Sequence, residues 1–190
     1  MKLLLSLSTL IITLNASITL PTNFETNFQQ SITNDKGKVI KYEGSVKYQN
    51  IKELISDGVG IQTEFSRNLF KWNYTNPTKK EVCTDGIQLT VIDHDLEQVS
   101  NYLIDDKGIN LEEILKVAIP LSLKDYKATY NETEYLITLD KKNQLSQIVY
   151  VDELDNGVKI IFSNMHYNLP TFTETLLECN TPKGYDIVEG

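Results

Sequence analysis

The sequence predicts a single, mainly β domain, in which one large, curved antiparallel sheet carries one or two short helices. Three observations predict this fold class. Apolar and polar residues alternate in many short segments, which is the period of a strand with one buried side. Two-residue turn signals, Asp85-Gly86 and Asn156-Gly157, join neighbouring segments more tightly than parallel strands allow. The segments amount to about nine to eleven strands, and a sheet of that width tends to curl or close.

Residues 1–16 have the pattern of a secretory signal peptide. Lys2 precedes an apolar run, Leu3–Leu14, that ends at the small residue Ala16. The run holds about a dozen residues, whereas a membrane-spanning helix needs roughly 20. We therefore expect cleavage after Ala16 and export of residues 17–190 as one domain. No cysteine lies near the cleavage point, so we do not expect a lipid anchor.

The first predicted strand covers 24–32, where Phe24 and Phe28 alternate with polar residues. The spacing of these two aromatic residues also fits one side of a helix. Glycine-containing turns at 34–37 and 56–58 separate this strand from the next ones. Further strands are predicted at 40–48, 59–65, 69–74, 82–91 (as a hairpin), 126–130, 135–139, 145–151 and 158–162.

An aromatic row lies along one predicted strand. Phe70, Trp72 and Tyr74 occupy alternate positions, so their side chains share one face, and Asn76-Pro77 ends the strand. A sheet with few helices must cover its concave side with its own aromatic residues, with a helix or with a ligand. The row therefore fits either a packed core or the wall of a ligand-binding hollow.

One amphipathic helix is predicted in the middle of the chain. Asn110 is suited to cap its start, and Glu113 lies three residues later, where its side chain reaches back. Pro120 ends the helix. The residues on its apolar face are Leu111, Ile114, Leu115 and Ala118.

Composition and charge restrict the function classes. The chain of 190 residues is 41% apolar and 23% charged, so it can bury a core. Its 18 Lys and Arg residues against 26 Asp and Glu residues give a formal net charge of −8. Nucleic-acid binding needs clustered positive charge that neutralises phosphates, so we do not expect this chain to bind nucleic acid.

Asp93-His94-Asp95 is the one cluster that suggests a metal site or an acid–base pair. Adjacent residues on an extended chain point opposite ways, and His166 is the only other histidine. A zinc site takes about four ligands that converge from separate elements. The sequence also has no glycine-rich phosphate loop and no nucleophile elbow. The residues alone therefore nominate no catalytic group, no cofactor site and no metal site, and the cluster fits a solvated loop between strands.

Cys83 and Cys179 are the two cysteines of the chain. In an oxidising compartment they are able to form a disulfide that closes a long loop. Two partly buried thiols fit the sequence equally well, because the sequence does not show how far apart they lie.

Several short motifs occur in a characteristic order. Residues 67–74 read Arg-Asn-Leu-Phe-Lys-Trp-Asn-Tyr, and Asn76-Pro77, Thr84-Asp85-Gly86 and the segment 95–99 follow. Upstream, the segment 23–30 places two phenylalanines before a glutamine pair, and Thr-Pro-Lys-Gly at 181–184 lies near the end. This succession resembles the LolA family, the periplasmic carriers of outer-membrane lipoproteins, over nearly the whole exported chain.

The resemblance implies an incomplete (unclosed) antiparallel β-barrel whose short α-helices form a lid over an apolar cavity. It implies a periplasmic, monomeric carrier without catalysis or a cofactor. Such a carrier accepts lipoproteins from an inner-membrane ABC transporter and shields their acyl chains. It delivers them to an outer-membrane receptor or to that membrane itself. The expected cavity and rim residues are Phe70, Trp72, Leu69, Tyr74, Phe28, Leu89 and Val91. The expected lid-helix residues are Leu111, Ile114 and Leu115.

Arg67 matches an arginine that, in the family, bonds to the helical lid and favours the closed form. The family's proline after this arginine is missing here, so Arg67 stands five residues before Trp72. An odd offset puts the two side chains on opposite faces of a strand, unless a bulge restores the register. Gly44 is also 23 positions from Arg67, more than in the family, and the surplus at 49–65 predicts an added hairpin or rim.

The family's N-terminal helix is nearly absent, so the lid is expected to be small or built mainly from the helix at 110–118. Two other functions fit the sequence. One is a periplasmic regulatory domain that senses lipid with the same half-barrel. The other is a hydrolase, which only Asp93-His94-Asp95 would support.

Overall fold

The computed structural model describes residues 18–56, 58, 60–103 and 111–189, so the predicted signal peptide and Asn110 lie outside the described residues. Twelve strands and two short helices are found in these residues. They are β1 (Asn23–Thr33), β2 (Val39–Ser56), β3 (Gln62–Asn76), β4 (Lys80–Thr84), β5 (Gln88–Asp93), β6 (Gln98–Leu103), α1 (Leu111–Lys116), β7 (Ile119–Pro120), β8 (Asp125–Tyr130), β9 (Thr133–Leu139), β10 (Leu145–Val151), β11 (Gly157–Tyr167), α2 (Glu174–Leu177) and β12 (Asp186–Glu189).

All twelve strands form one sheet in the order β12-β6-β5-β4-β3-β2-β1-β11-β10-β9-β8-β7. Within the described residues, no pairing joins the end strands β7 and β12, so the barrel is not closed. The predicted mainly β, incomplete antiparallel barrel is therefore confirmed. The predicted number of strands was too low, because β7 and β12 have only 2 and 4 residues. β12 also runs parallel to β6, whereas every other pair is antiparallel.

The turns predicted at 34–37 and 85–86 are present, and their side chains explain them. The turn predicted at Asn156-Gly157 lies slightly earlier, because Gly157 already belongs to β11, and Asp57 of the turn predicted at 56–58 lies outside the described residues. The Asn34 side chain accepts hydrogen bonds from the backbone N–H groups of Lys36 and Lys38. The Asp85 carboxylate does the same for Ile87 in the β4–β5 hairpin. Gly86 has φ 90°, a conformation that glycine adopts without steric cost. Local turn chemistry therefore sets the register of these hairpins.

β2 and β3 form a long hairpin that extends beyond the rest of the sheet. β1 pairs with β2 only as far as Gln49, whereas β2 continues to Ser56 alongside β3. The surplus segment 49–65 therefore lengthens the β2–β3 hairpin and does not add a separate hairpin. The two strands predicted at 59–65 and 69–74 are a single strand, β3, because no turn interrupts the ladder between them.

The face of the sheet that carries the aromatic row is concave. Trp72 of β3 and Phe162 of β11 have ring centroids only 6.3 Å apart, although β2 and β1 lie between these strands. In a flat sheet, strands three places apart are about 14 Å from each other. The side chains on this face therefore converge, as they do inside a barrel.

The main core fills most of this concave side. Side chains from β1 and β2 meet those from β8 to β11, and α1 packs over β8. Gly44 of β2 lets β3 and the core residue Phe28 approach closely, because a Cβ there would lie 1.9 Å from the Asn73 carbonyl oxygen and 2.9 Å from the Phe28 ring. The buried members of the core are Phe24, Phe28, Val46, Tyr48, Leu111, Ile114, Leu115, Ala118, Tyr126, Ala128, Tyr135, Ile137, Leu139, Leu145, Ile148, Val158, Ile160 and Phe162.

The C-terminal segment, residues 169–189, crosses the convex side of the sheet, and we call it the C-terminal strap. Gln49 of β2 exchanges two hydrogen bonds with the backbone of Phe172. Cys83 of β4 and Cys179 form a disulfide with their Cα atoms 5.7 Å apart. The strap ends in β12, beside β6. It therefore holds the back of the sheet from β2 to β6.

Candidate functional site

The aromatic row of β3 is part of an apolar surface on the concave face. Phe70 packs on Tyr48 of β2, with ring centroids 4.7 Å apart. Phe28 of β1 lies edge-on to Trp72 at 4.9 Å and to Tyr74 at 5.0 Å. Phe28 is buried, whereas the three residues of the row are half-buried. The structure therefore brings these four predicted residues together, with the β3 row at the accessible edge of the core.

β5 continues this surface away from the core. Val91 pairs with Val82 of β4, which in turn pairs with Trp72, so the three side chains share a face. Leu89 lies on the same face two positions earlier in β5. Leu89 and Val91 are half-buried. The concave face of β3 to β5 thus presents apolar side chains that the core leaves partly uncovered.

The phenol groups near this surface remain uncharged at neutral pH. Burial raises the pKa of Tyr74 to about 12. Burial, and to a lesser degree the neighbouring Tyr135, also raises the pKa of Tyr150 to about 12. Burial disfavours the charged form of a phenol, so these hydroxyl groups keep their protons. The surface therefore offers apolar contacts and neutral hydroxyl groups.

Leu69 does not belong to this surface, which corrects the prediction. It precedes Phe70 in a regular stretch of β3, so its side chain points to the convex face. There it is buried and lines a cleft of about 220 Å³ together with Leu177 of α2 and the Cys83–Cys179 disulfide. β3 is apolar on both faces here because the C-terminal strap covers its back.

α1 covers part of the concave side, where the lid helix was predicted. Leu111, Ile114 and Leu115 are all buried in the main core. They pack over β8, in which Tyr126 and Ala128 are buried. α1 has 6 residues, so its stability comes from this packing, because an isolated helix of that length does not form in water. The packing is consistent with the predicted small lid.

A polar network joins α1 to the aromatic strand, and Asn68 is its centre. The Asn68 Nδ2 group donates a hydrogen bond of 2.6 Å to the Glu112 carboxylate of α1. The Asn68 Oδ1 atom accepts hydrogen bonds from the Tyr48 hydroxyl at 2.9 Å and from Asn50 Nδ2 at 2.8 Å. We call these four residues the Asn68 network. Asn68 lies on the same face of β3 as Phe70, two positions away, so the network borders the apolar surface.

The Asn68 network lies at the edge of a cleft beside α1. Burial, together with the nearby Glu112 carboxylate, raises the pKa of Tyr48, so its hydroxyl stays a hydrogen-bond donor. The cleft has a volume of about 370 Å³ and lies between α1 and the segment 18–22. Its walls include Tyr48, Asn50 and Glu112 from the network. The network therefore holds α1 where the concave side opens to solvent.

Arg67 does not bond to the lid helix, which corrects the second site prediction. No bulge interrupts β3 between Arg67 and Trp72, so the two side chains lie on opposite faces. Arg67 donates a hydrogen bond of 2.9 Å to Glu53 of β2, and Glu174 of α2 lies 3.9 Å away. Arg67 thus belongs to the convex side and the strap, while the next residue, Asn68, reaches α1.

The Asp93-His94-Asp95 cluster holds the strap to the sheet. The two ring nitrogens of His94 lie 3.1 Å from the Tyr185 hydroxyl and 3.0 Å from Glu81. Burial opposes ionisation of Glu81, but hydrogen bonds from Lys71 and His94 outweigh it and lower the pKa of this carboxyl. Asp93 forms an ion pair of 3.2 Å with Lys80. These contacts give the cluster a structural role.

Among the side chains that the structure describes, one group has donor atoms close enough to hold a metal ion, and it consists of Glu81, Cys83 and Cys179. Its two cysteines form the disulfide and so cannot act as thiolate ligands.

The comparison with known proteins assigns the family. The family described as "Outer membrane lipoprotein carrier protein LolA" matches residues 65–113, which begin in β3 and end in α1. An outer-membrane lipoprotein carrier protein of Campylobacter jejuni is 35% identical over 123 residues, which are 65% of this chain and 71% of that protein. The chain belongs to the LolA family. The matched region contains the aromatic row, the Asn68–Glu112 contact and the first turn of α1.

Further similarities are more distant. An outer-membrane lipoprotein carrier protein of Wolinella succinogenes is 28% identical over 146 residues, 77% of this chain and 75% of that protein. Among solved structures, an uncharacterized conserved protein from Thermus thermophilus has a TM-score of 0.49 at 13% identity, covering 90% of this chain and 92% of that one. The LolA family consists of carriers, in agreement with the expectation that this protein is not an enzyme. Neither helix in the described part of the chain is long and apolar enough to cross a membrane.

Proposed function

We propose that this protein is a periplasmic carrier that shields the acyl chains of lipoproteins on the concave face of its sheet. The observation that carries the proposal is the half-buried aromatic row of β3, which lies next to α1 and the Asn68 network. The names of the relatives support the class of cargo. We further propose that residues 1–16 are removed on export and that 17–190 form the carrier domain.

The chemistry of the cargo explains why a carrier needs such a surface. Each methylene group that leaves water contributes about 0.8 kcal/mol, so an acyl chain cannot cross an aqueous compartment unshielded. Apolar contact with aromatic rings is strong but non-directional, so it suits flexible chains of different lengths. The protein has no energy source of its own. Release must therefore depend on a higher affinity of the next acceptor for the same chains.

Binding of acyl chains requires α1 to move. The cleft beside α1 has a volume of about 370 Å³, which is at the lower end of the range for ligand sites. The core beneath the aromatic row is already filled by residues such as Phe28 and Phe162. The described conformation is thus a closed form, and displacement of α1 would uncover its buried leucines and extend the apolar surface that the row begins. Cargo binding and opening of the lid are then one linked equilibrium.

The proposal also includes the two steps by which lipoproteins reach and leave the carrier. The carrier would take lipoproteins from an inner-membrane ABC transporter and pass them to an outer-membrane receptor or to the outer membrane itself. The resemblance to the LolA family is what supports these two partners.

The variant Phe70→Glu tests the proposed cargo surface. A carboxylate in the middle of the aromatic row would have to lose its hydration when an acyl chain binds, so we expect acceptance of lipoprotein to be abolished. Native mass spectrometry of the protein, after exposure to a purified lipoprotein, measures the complex directly. Phe65→Glu is the matched control, because Phe65 lies on the same strand, is exposed and faces the convex side.

The expected result is a lipoprotein adduct on the wild type and on Phe65→Glu, and bare protein for Phe70→Glu. Circular dichroism must show that the Phe70→Glu variant keeps its strand content. A folded Phe70→Glu variant that still carries lipoprotein would refute the role of this surface. Bare wild-type protein after exposure to lipoprotein would refute the proposed function itself.

A further inference from the structure

The loop between β7 and β8 exposes apolar side chains to solvent. Leu123 is 92% exposed, the highest value among the large apolar side chains of the described residues, and Leu121 is 58% exposed. Ile119 of β7, at the free edge of the sheet, is exposed as well. These residues follow α1 directly in sequence. Three exposed apolar side chains within five residues form a candidate contact surface, which their surroundings must then distinguish from other exposed leucines.

Lysine side chains lie in this loop and in the turn next to it. Lys124 follows Leu123, and its Nζ group donates a hydrogen bond of 2.6 Å to Asn143 Oδ1 in the β9–β10 turn. This bond holds the two turns together. The β9–β10 turn itself carries Lys141 and Lys142, both of which are exposed. Three lysines therefore lie close to the leucines, one in the same β7–β8 loop and two in the adjoining β9–β10 turn.

Two carboxylates lie in the same turns, and neighbouring hydroxyl and backbone N–H groups occupy them with hydrogen bonds. Asp125 accepts bonds from the Ser122 hydroxyl at 2.8 Å and from the Thr138 hydroxyl at 2.9 Å. Asp140 accepts bonds of 2.8 Å from backbone N–H groups in the turn that it begins. The local balance of three lysines against two carboxylates is positive, in a chain whose formal net charge is −8.

Two other exposed leucines of the chain have the opposite surroundings. Leu154, in the β10–β11 turn, is 79% exposed, and the residues from Asp152 to Asp155 around it include three carboxylates. Leu96, which is 70% exposed, lies between Asp95 and Glu97. Exposure alone therefore does not distinguish Leu123 from these residues. The lysines around it do.

We propose that Leu121, Leu123, Lys124, Lys141 and Lys142 form a membrane-docking surface that binds an anionic phospholipid bilayer. Leucine side chains partition into the interface of a bilayer, and lysines beside them are attracted to anionic head groups. Each element alone binds weakly, so contact with the membrane is reversible, as a shuttling protein requires. α1 and β7 are consecutive elements, so docking brings the lid helix close to the bilayer. This surface is separate from the aromatic row and does not require cargo.

Vesicle co-sedimentation of the exported, cargo-free protein tests this surface. We expect binding to vesicles that contain phosphatidylglycerol, weaker binding at high salt, and little binding to vesicles of phosphatidylcholine alone. Leu123→Asp should lower the partition coefficient by about tenfold or more, because a charge replaces the leucine that would enter the bilayer interface. Lys141→Gln and Lys142→Gln together should lower it by roughly fivefold for each charge removed. Leu154→Asp is the matched control and should leave binding unchanged.

Three outcomes would overturn the proposal. One is that the wild type does not bind vesicles with phosphatidylglycerol. Another is that Leu123→Asp and Leu154→Asp have equal effects. The third is binding only to native inner or outer membranes, lost after protease treatment, which would assign the surface to a protein partner. Phe70→Glu should bind vesicles like the wild type, so failure of the docking surface and failure of the cargo surface can be told apart.

Discussion

Replacing the side-chain amide of Asn68 by a carboxylate should open the lid. Asn68→Asp keeps the shape of the side chain and keeps an acceptor for Tyr48 and Asn50. It replaces the Nδ2 donor, which lies 2.6 Å from Glu112, by a carboxylate oxygen. The hydrogen bond to a charged acceptor is lost, and two carboxylates are placed side by side. The change therefore acts on the contact between β3 and α1 and on little else.

The size of the effect follows from the geometry of this contact. A hydrogen bond to a charged group contributes about 1.5–3 kcal/mol, and repulsion between the two carboxylates adds to its loss. A change of about 1.4 kcal/mol alters the ratio of closed to open forms tenfold. If only the open form binds acyl chains, the apparent dissociation constant falls by the same factor while the closed form predominates. We therefore expect Asn68→Asp to bind an acyl ligand at least about tenfold more tightly than the wild type.

Trp72 is the only tryptophan of the chain and lies in the aromatic row, so its fluorescence reports binding directly. The ligand in this assay is a single-chain lysophospholipid, titrated below its micelle concentration. Glu112→Gln in the Asn68→Asp background returns a donor opposite the new acceptor. The double variant should therefore restore the wild-type dissociation constant. Equal dissociation constants for Asn68→Asp and the wild type, or additive effects in the double variant, would refute the reasoning.

Two further predictions concern the stability of the sheet. Gly44→Ala should lower the free energy of unfolding in urea by about 2 kcal/mol or more, because its methyl group would overlap the Asn73 carbonyl, whereas Gly58→Ala, with no atom near its Cβ position, should have little effect. Glu81→Gln should be less stable than the wild type at neutral pH, and the difference should shrink as the pH falls below 4.5. The reason is that a carboxyl whose pKa is lowered by folding stabilises the protein above its unfolded value of 4.5 and loses that effect in acid. A difference that persists unchanged at low pH would exclude ionisation as its cause.

The sequence predicted what local pattern and turn chemistry determine. Alternation identified the aromatic row of β3, and the odd spacing between Arg67 and Trp72 indicated that Arg67 faces away from the row. The position of Leu69 was wrong, although its signal was present. Leu69 and Phe70 are adjacent apolar residues in a strand, which is typical of a strand buried on both faces. The cover on the second face, the C-terminal strap, comes from more than 100 residues further along the chain.

The role of Asn68 could not be predicted for a similar reason. An asparagine at a strand position is ordinarily a solvated residue, and nothing near it in sequence marks it as a contact. Its partner Glu112 is 44 residues away, on a helix that is placed by the packing of its leucines. Polar contacts of this kind depend on tertiary structure, whereas turns and alternation do not.

β3 shows why the lid, and not the sheet, is expected to move when cargo binds. Its odd-numbered residues face the strap: Leu69 is buried beneath α2, and the Lys71 Nζ group donates a hydrogen bond of 2.8 Å to the Glu178 carbonyl beside the disulfide. Its even-numbered residues face the concave side, where Asn68 holds α1 by one side-chain contact to Glu112. On the convex face, the disulfide between Cys83 of β4 and Cys179 thus holds the strap against the sheet. On the concave face, the Asn68–Glu112 hydrogen bond and apolar packing hold α1. Acyl chains can make the same kind of apolar contact with the leucines of α1, whereas the Asn68–Glu112 hydrogen bond has no such replacement and must break when α1 opens.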